Sequence, residues 1–228
     1  MTRILLVGHG RMGRLVEALA PSYDAQIAAV IDEKSGRRAI TDRDYGEVDV
    51  AIDFTLADAV VQNLPQLADR GINVVIGTTG WQQHEPALRK IVARAGIGVL
   101  VAANFSIGMN LFELLVEDAG RRFRFHSDFG CWIHEMHHVK KKDAPSGTAL
   151  VLKAGLEEAG YGGPIDVAST RAGSIPGTHT VGFDGVSETI ELKHTVRDRA
   201  VFARGALAAA SWLVGKHGWF SMRDMLTK

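Results

Sequence analysis

The first hundred residues alternate short apolar runs with stretches of helical spacing. The runs are Ile4 to Val7, Gln26 to Ile31, Val48 to Phe54, Asn73 to Ile76 and Gly98 to Ala102. Between them lie Arg11 to Ala20, Leu56 to Arg70 and His84 to Ala95. This rhythm predicts successive strand-helix units and a doubly wound parallel sheet. Ile107, Leu111, Leu114 and Leu115 then recur at helical spacing, predicting a further helix from Ser106 to Ala119 that leads out of the first region.

Beyond it the pattern turns to alternation. Phe123 and Phe125, Cys131 and Ile133, Thr178 to Phe183 and Glu188 to His194 predict strands of a second sheet with longer loops. Ser146 to Ala159 reads as one helix, and Tyr161 to Pro164 as a turn-rich break after it. Arg204 to Lys216, with Leu207, Ala210, Trp212 and Leu213 on one face, predicts a closing helix.

Composition narrows the classes. A chain of 228 residues has room for one large domain or two modest ones. With 26 basic against 26 acidic side chains, no global field recruits nucleic acid or an anionic membrane, so any anion binding must be local. No stretch approaches the roughly 20 apolar residues of a membrane span. Ile4 to Val7 is too short for a secretory apolar region. Cys131 has no second cysteine to form a disulfide or a zinc cluster, which suits a reducing compartment. The expectation is a soluble cytoplasmic protein with a buried structural thiol.

Gly8-His9-Gly10-Arg11-Met12-Gly13 matches G-x-G-x-x-G directly after a strand-like run and at the opening of a helix. In that context Gly8 permits the tight turn, Gly10 lets the backbone approach a pyrophosphate, and Gly13 lets the helix pack against the strand. The free N–H groups of the helix then face the phosphates. Asp32, 19 residues past Gly13, stands where a carboxylate receives ribose hydroxyls, although a plain surface acid fits the same position. Glu33 repels a 2′-phosphate while Lys34, Arg37 and Arg38 attract one, so either NADH or NADPH is expected, with NADH at least as good. Gly77-Thr78-Thr79 and Ala102-Ala103-Asn104-Phe105 lie at later strand ends, where an open parallel sheet binds its ligand, though either is also an ordinary turn.

The run from Glu135 to Ala149 places two histidines, three lysines and a helix start within fifteen residues. Ser146 is a credible N-cap, leaving the Gly147 and Thr148 N–H groups for a carboxylate or phosphate. His138 and Lys141 add charge to such a site, and His137 suits proton transfer near neutrality. The competing reading is a solvated lysine face with idle histidines. Metal binding ranks below both, because adjacent strand histidines point to opposite faces and no H-E-x-x-H or cysteine ligand accompanies them.

The order of these motifs resembles the 4-hydroxy-tetrahydrodipicolinate (dihydrodipicolinate) reductase family over nearly the whole chain. The most specific part is E-x-H-H-x-x-K-x-D-A-P-S-G-T-A, intact from Glu135 to Ala149; G-R-M-G from Gly10 to Gly13, Arg171-Ala172-Gly173 and Gly177-Thr178-His179 support it. The resemblance implies an α/β chain with an N-terminal Rossmann-type doubly wound parallel sheet, residues 1–105 with 205–228. It also implies a C-terminal α+β domain with a mixed sheet, residues 106–204, that binds substrate and builds a homotetramer. By the same match, His137 and Lys141 are catalytic, and His138, Ser146, Gly147 and Thr148 bind a small dicarboxylate. The implied activity is NAD(P)H-dependent reduction in the diaminopimelate and lysine pathway. Two departures stand out: the first loop is one residue shorter than in many members, and Glu33 stands where some carry an arginine. The alternatives are another two-domain dehydrogenase for an acidic substrate, and a dinucleotide-sensing regulator that needs the glycine turn but not the histidine-lysine cluster.

Overall fold

A computed structural model describes residues 1–32, 40–41 and 46–227. Glu33 and Lys34, with Arg37 and Arg38, lie outside the described residues. The chain divides into two compact units, Met1–Ile107 with Ala200–Lys228, and Gly108–Arg199.

The first unit is a parallel sheet in the order β10-β5-β4-β3-β1-β2. Its strands are β1 (Thr2–Val7), β2 (Ala25–Ile31), β3 (Val50–Asp53), β4 (Asn73–Ile76), β5 (Gly98–Val101) and β10 (Gly218–Phe220). Both faces are covered. Helices α2 (Ala57–Ala68) and α3 (Glu85–Ala95) bury Val60, Leu64, Leu88 and Val92 on one side. Helices α1 (Arg11–Leu19) and α6 (Ala200–Leu213) bury Val16, Ala206 and Leu207 on the other. Strands sealed on both faces must be apolar throughout, which is why Ile4, Leu5, Leu6, Val50, Ala51 and Ile52 are all inaccessible. The chain leaves β1 for β2 on one side and β3 on the other. The strand order therefore reverses at β1/β3, where open α/β sheets place their ligand crevice.

The second unit holds a mixed sheet in the order β7-β6-β8-β9, formed by β6 (Gly130–His137), β7 (Ile165–Arg171), β8 (Thr178–Asp184) and β9 (Thr189–Thr195). β6 runs parallel to β7 and antiparallel to β8. Helices α4 (Ile107–Phe123) and α5 (Gly147–Glu158) pack on one face, closing a core of Phe112, Val116, Leu152, Leu156, Ile133, Val181 and Phe183.

Three expectations change. Phe123 and Phe125 are not strand residues: Phe123 ends α4, stacks on Phe183 at 4.0 Å, and Phe125 lies in the turn that follows. The closing helix starts at Ala200 and ends at Leu213. Strands β7 and β10 and the short helix α7 (Met222–Leu226) were not predicted. Among the described residues no helix is long and apolar enough to cross a membrane. Cys131 is 5% exposed, and burial pushes its thiol up to about 12, so it is an inert packing group.

Candidate active site

In the first unit the turn after β1 is built by what its residues lack. Gly8 has φ +90°, and a Cβ on it would lie 2.6 Å from the Phe54 carbonyl oxygen. A Cβ on Gly13 would lie 2.2 Å from the Gly8 carbonyl oxygen, so α1 rests directly on the turn. Gly10, by contrast, has nothing among the described residues within 4 Å of such a Cβ and stands at the helix start. A cavity of about 600 Å³ opens there, lined by Gly8, His9, Gly10, Asp32, Phe54 and Thr55, among others. His9 faces Glu17 at 2.6 Å, while Arg11 is exposed and Met12 packs toward the core.

Phe54 and Thr55 carried no sequence signal for this role. They enter because β3 adjoins β1, and Asp53 shapes their turn by accepting from the Thr55 N–H at 2.9 Å, the Thr55 hydroxyl at 2.5 Å and Asn63 Nδ2 at 3.1 Å. Burial drives the Asp53 carboxyl above its ordinary value against those hydrogen bonds. Of the later loops, Gly77 lies against the Phe54 ring. Thr78 is buried, with its carbonyl accepting from Trp81 Nε1 at 2.7 Å, and Thr79 is exposed. Ala103 is exposed, Ala102 half-buried, and Asn104 Oδ1 accepts from the Ser106 N–H at 2.9 Å. Phe105 is 2% exposed, so only its backbone remains for a ligand. These dimensions and the bare helix start fit a dinucleotide's phosphates.

The second unit builds its site from charged side chains. Two residues apart on β6, Glu135 and His137 share a face. The Glu135 carboxylate is inaccessible; it accepts from His137 Nδ1, from Arg171 Nη1 at 2.9 Å and Nη2 at 2.6 Å, and from the Ser146 N–H at 3.2 Å. Burial alone would raise its pKa, but Arg171, Ser169 and His137 outweigh burial and hold it at about 2. Burial lowers His137 against the pull of Glu135, and Lys141 and Arg171 lower it further. His179, 4% exposed, is pushed down to about 4, first by burial and then by His137.

Ser146 is an N-cap as predicted, accepting from the Ala149 N–H at 3.2 Å. Its hydroxyl also meets His179 Nε2 at 3.1 Å, and the residue is 2% exposed. Both of these contacts are internal, and Ser146 builds the site rather than lining it. Gly147 is exposed and Thr148 half-buried at the helix start. His138 is half-buried, its Nδ1 without a hydrogen-bond partner among the described residues. Lys141 Nζ donates to both oxygens of Asp143, 2.8 Å each, and together with the Gly147 N–H it holds the Asp143 carboxyl below its ordinary value. An internal carboxylate therefore rests on the same ammonium and helix start that the sequence assigned to a ligand carboxylate.

Glu135, His137 and His179 bring one ligand atom each within 4.8 Å of one another. The carboxylate among them is already neutralised by the Arg171 fork, so the cluster reads as a proton-handling network rather than a cation cage. Glu135 and Arg171 had no role in the sequence reading. The period of two along β6 could have linked Glu135 to His137; Arg171 stood out only within the Arg171-Ala172-Gly173 motif, which names no partner for it.

Comparison with known proteins agrees with this geometry. The chain matches the family model described as "Dihydrodipicolinate reductase, N-terminus" over residues 2–105 and "Dihydrodipicolinate reductase, C-terminus" over residues 108–226. A "4-hydroxy-tetrahydrodipicolinate reductase" of Methanoregula boonei is 37% identical, covering 99% of this chain and 98% of that protein. One of Christiangramia forsetii is 34% identical, covering 98% and 97%. Among solved structures, a dipicolinate-bound dihydrodipicolinate reductase from Paenisporosarcina sp. TG-14 superposes with a TM-score of 0.82 at 21% identity over 99% of both chains, a likeness of fold.

Proposed function

The chain belongs to the dihydrodipicolinate reductase family, and from that premise we propose that it reduces 4-hydroxy-tetrahydrodipicolinate to tetrahydrodipicolinate with NAD(P)H. It is an oxidoreductase of the diaminopimelate route to lysine. The two family matches, which together span nearly the whole chain, carry the reaction; the observation that carries the site is the Asp143 carboxylate gripped by Lys141 and the start of α5.

Each turnover consumes one hydride and one proton and releases the 4-hydroxyl as water. The bound dinucleotide supplies the hydride. Its pyrophosphate would be held by the backbone from Gly8 to Gly13 and its adenosine ribose by Asp32, with Gly77 to Thr79 and Ala102 to Phe105 left for the nicotinamide end. In the second unit Lys141, His138 and the Gly147 and Thr148 N–H groups hold the substrate's carboxylates. A dianion there favours the charged form of His137, which burial, Lys141 and Arg171 otherwise suppress. The one proton then comes from His137 or Lys141, each poised by the substrate itself. The family resemblance further supports a homotetramer in the cytoplasm, with the second unit's sheet at the subunit contacts.

The test is NAD(P)H oxidation in an assay coupled to the synthase that supplies the substrate. His137→Gln and Lys141→Ala each lower kcat by a factor on the order of 10². No oxidation by the unaltered protein sinks the reaction, and near-normal turnover in both variants sinks the residue roles. The same assay run with each cofactor gives a kcat/KM for NADH at least equal to that for NADPH, and light scattering gives the mass of four chains.

A further inference from the structure

We propose that Glu135 is a positioning residue: its buried carboxylate fixes His137 in the Nδ1–H tautomer, so that Nε2 is the nitrogen that carries the transferred proton. The inference rests on the reading of His137 as proton donor.

Glu135 Oε1 receives the Ser146 N–H and Arg171 Nη2, and Oε2 receives Arg171 Nη1 and His137 Nδ1. A backbone N–H can only donate, and the guanidinium is always charged and only donates. Both oxygens are therefore acceptors, the carboxylate stays ionised, and the imidazole nitrogen facing it must bring the hydrogen. The arrangement is rigid because each part is anchored separately. Arg171 lies opposite His137 in the β6/β7 register, and its Nη2 also donates to the Asp143 carbonyl at 2.6 Å. Ser146 begins α5. Glu135 thus ties the proton donor to the helix start that receives the substrate carboxylate.

A glutamine at this position tests the idea, because its oxygen and amide cannot be interchanged. The oxygen must stay where the Ser146 N–H and Arg171 Nη2 converge, which turns the amide NH₂ toward His137 Nδ1. Glu135→Gln therefore offers the imidazole a donor and drives it to the Nε2–H tautomer. The imidazolium also loses its acceptor while Arg171, Lys141 and His179, the other charged or titratable groups facing the ring, remain in place.

The experiment is nitrogen-15 NMR of the histidine rings, joined to kinetics of the full-length protein. In the unaltered protein above its pKa, His137 shows a protonated Nδ1 and a bare Nε2. In Glu135→Gln the pattern reverses, kcat falls by a factor on the order of 10² with little change in KM for the dicarboxylate, and the pH below which kcat is full moves down. A bare Nδ1 in the unaltered protein overturns the proposal without any variant. So does a Glu135→Gln enzyme that keeps both the tautomer and the pH profile. If His137→Gln turns over normally, the proton-donor reading fails instead, whichever tautomer the spectra show.

Discussion

The turn after β1 and the loop after β6 are both shaped to meet negative charge, and they do so by opposite means. From Gly8 to Gly13 the chain works through its backbone: the three glycines carry no side chain, and the attraction comes from N–H groups at the start of α1. From Glu135 to Thr148 it supplies charged side chains around the start of α5, with Glu135 held by His137 and Arg171, and Asp143 by Lys141. A site made of backbone has no proton to gain or lose, but it tolerates no added carbon. A site made of side chains tolerates changes of shape more readily, but every member answers to pH and to its partners' charge. The buried titratable groups nearby carry the contrast further. Asp53 in the first unit is raised by burial, whereas His179 in the second is lowered by it.

The largest effect should come from forcing a side chain into the backbone site. Gly13→Ala puts a Cβ 2.2 Å from the Gly8 carbonyl oxygen, so α1 must move off the turn. The expected result is cofactor affinity weakened by a factor on the order of 10² and a clearly lower Tm. Gly10→Ala meets nothing within 4 Å among the described residues, so its Tm should be unchanged while cofactor affinity still falls about tenfold, because only the ligand's approach is blocked. Calorimetry with NADH and thermal melts separate the two. Equal Tm values for both variants would remove the distinction between packing and cradle.

A smaller effect concerns pH, where the two units should pull in opposite directions. His179 has a folded value of about 4 against 6.5 unfolded, so between these values only the unfolded chain takes up the proton. Its contribution is neutral above 6.5, and stability is lost as pH falls toward 4. Asp53 is raised above 3.8, so its contribution is present below that value and is lost as pH rises through the folded pKa. Urea unfolding from pH 7 to 4.5 should therefore show His179→Gln losing less stability than the unaltered protein, by about 2 kcal/mol. Parallel curves for the two proteins would sink the assignment.

The smallest effect sharpens the side-chain site. Asp143→Asn releases Lys141 and the Gly147 N–H from an internal carboxylate that the substrate must displace. Because the pair is exposed it is weak, and KM for the dicarboxylate should fall only a few-fold with kcat nearly unchanged. A KM that rises would show that Asp143 orients Lys141 rather than competing for it.

The strand-helix rhythm of the first unit was legible because strands buried on both faces are apolar throughout, as Ile4 to Val7 and Val74 to Ile76 are. β10 was not: its three residues become a strand only by lying along β5, on the sheet's edge. β7 mixes Ile165 and Val167 with exposed polar neighbours, and its signal was lost beside the turn before it. Phe123 and Phe125 alternate as strand residues do, yet Phe123 belongs to α4, whose apolar face needs a ring against Phe183. The glycine turn and the Ser146 cap were legible because both are local, set by dihedral angles and by a side chain reaching its own helix start.

By itself, then, the sequence determined the periodic elements, the backbone cradle from Gly8 to Gly13, and the set of residues between Glu135 and Ala149 from which the acid site is made. Tertiary structure alone decided that Phe54 and Thr55 wall the cofactor cavity, that the Ser146 hydroxyl faces His179, and that Arg171 holds the carboxylate governing His137. The physical reason is the same in each case. Protonation, tautomer and access depend on burial and on donors brought from distant strands, and neither quantity exists until the sheet has formed.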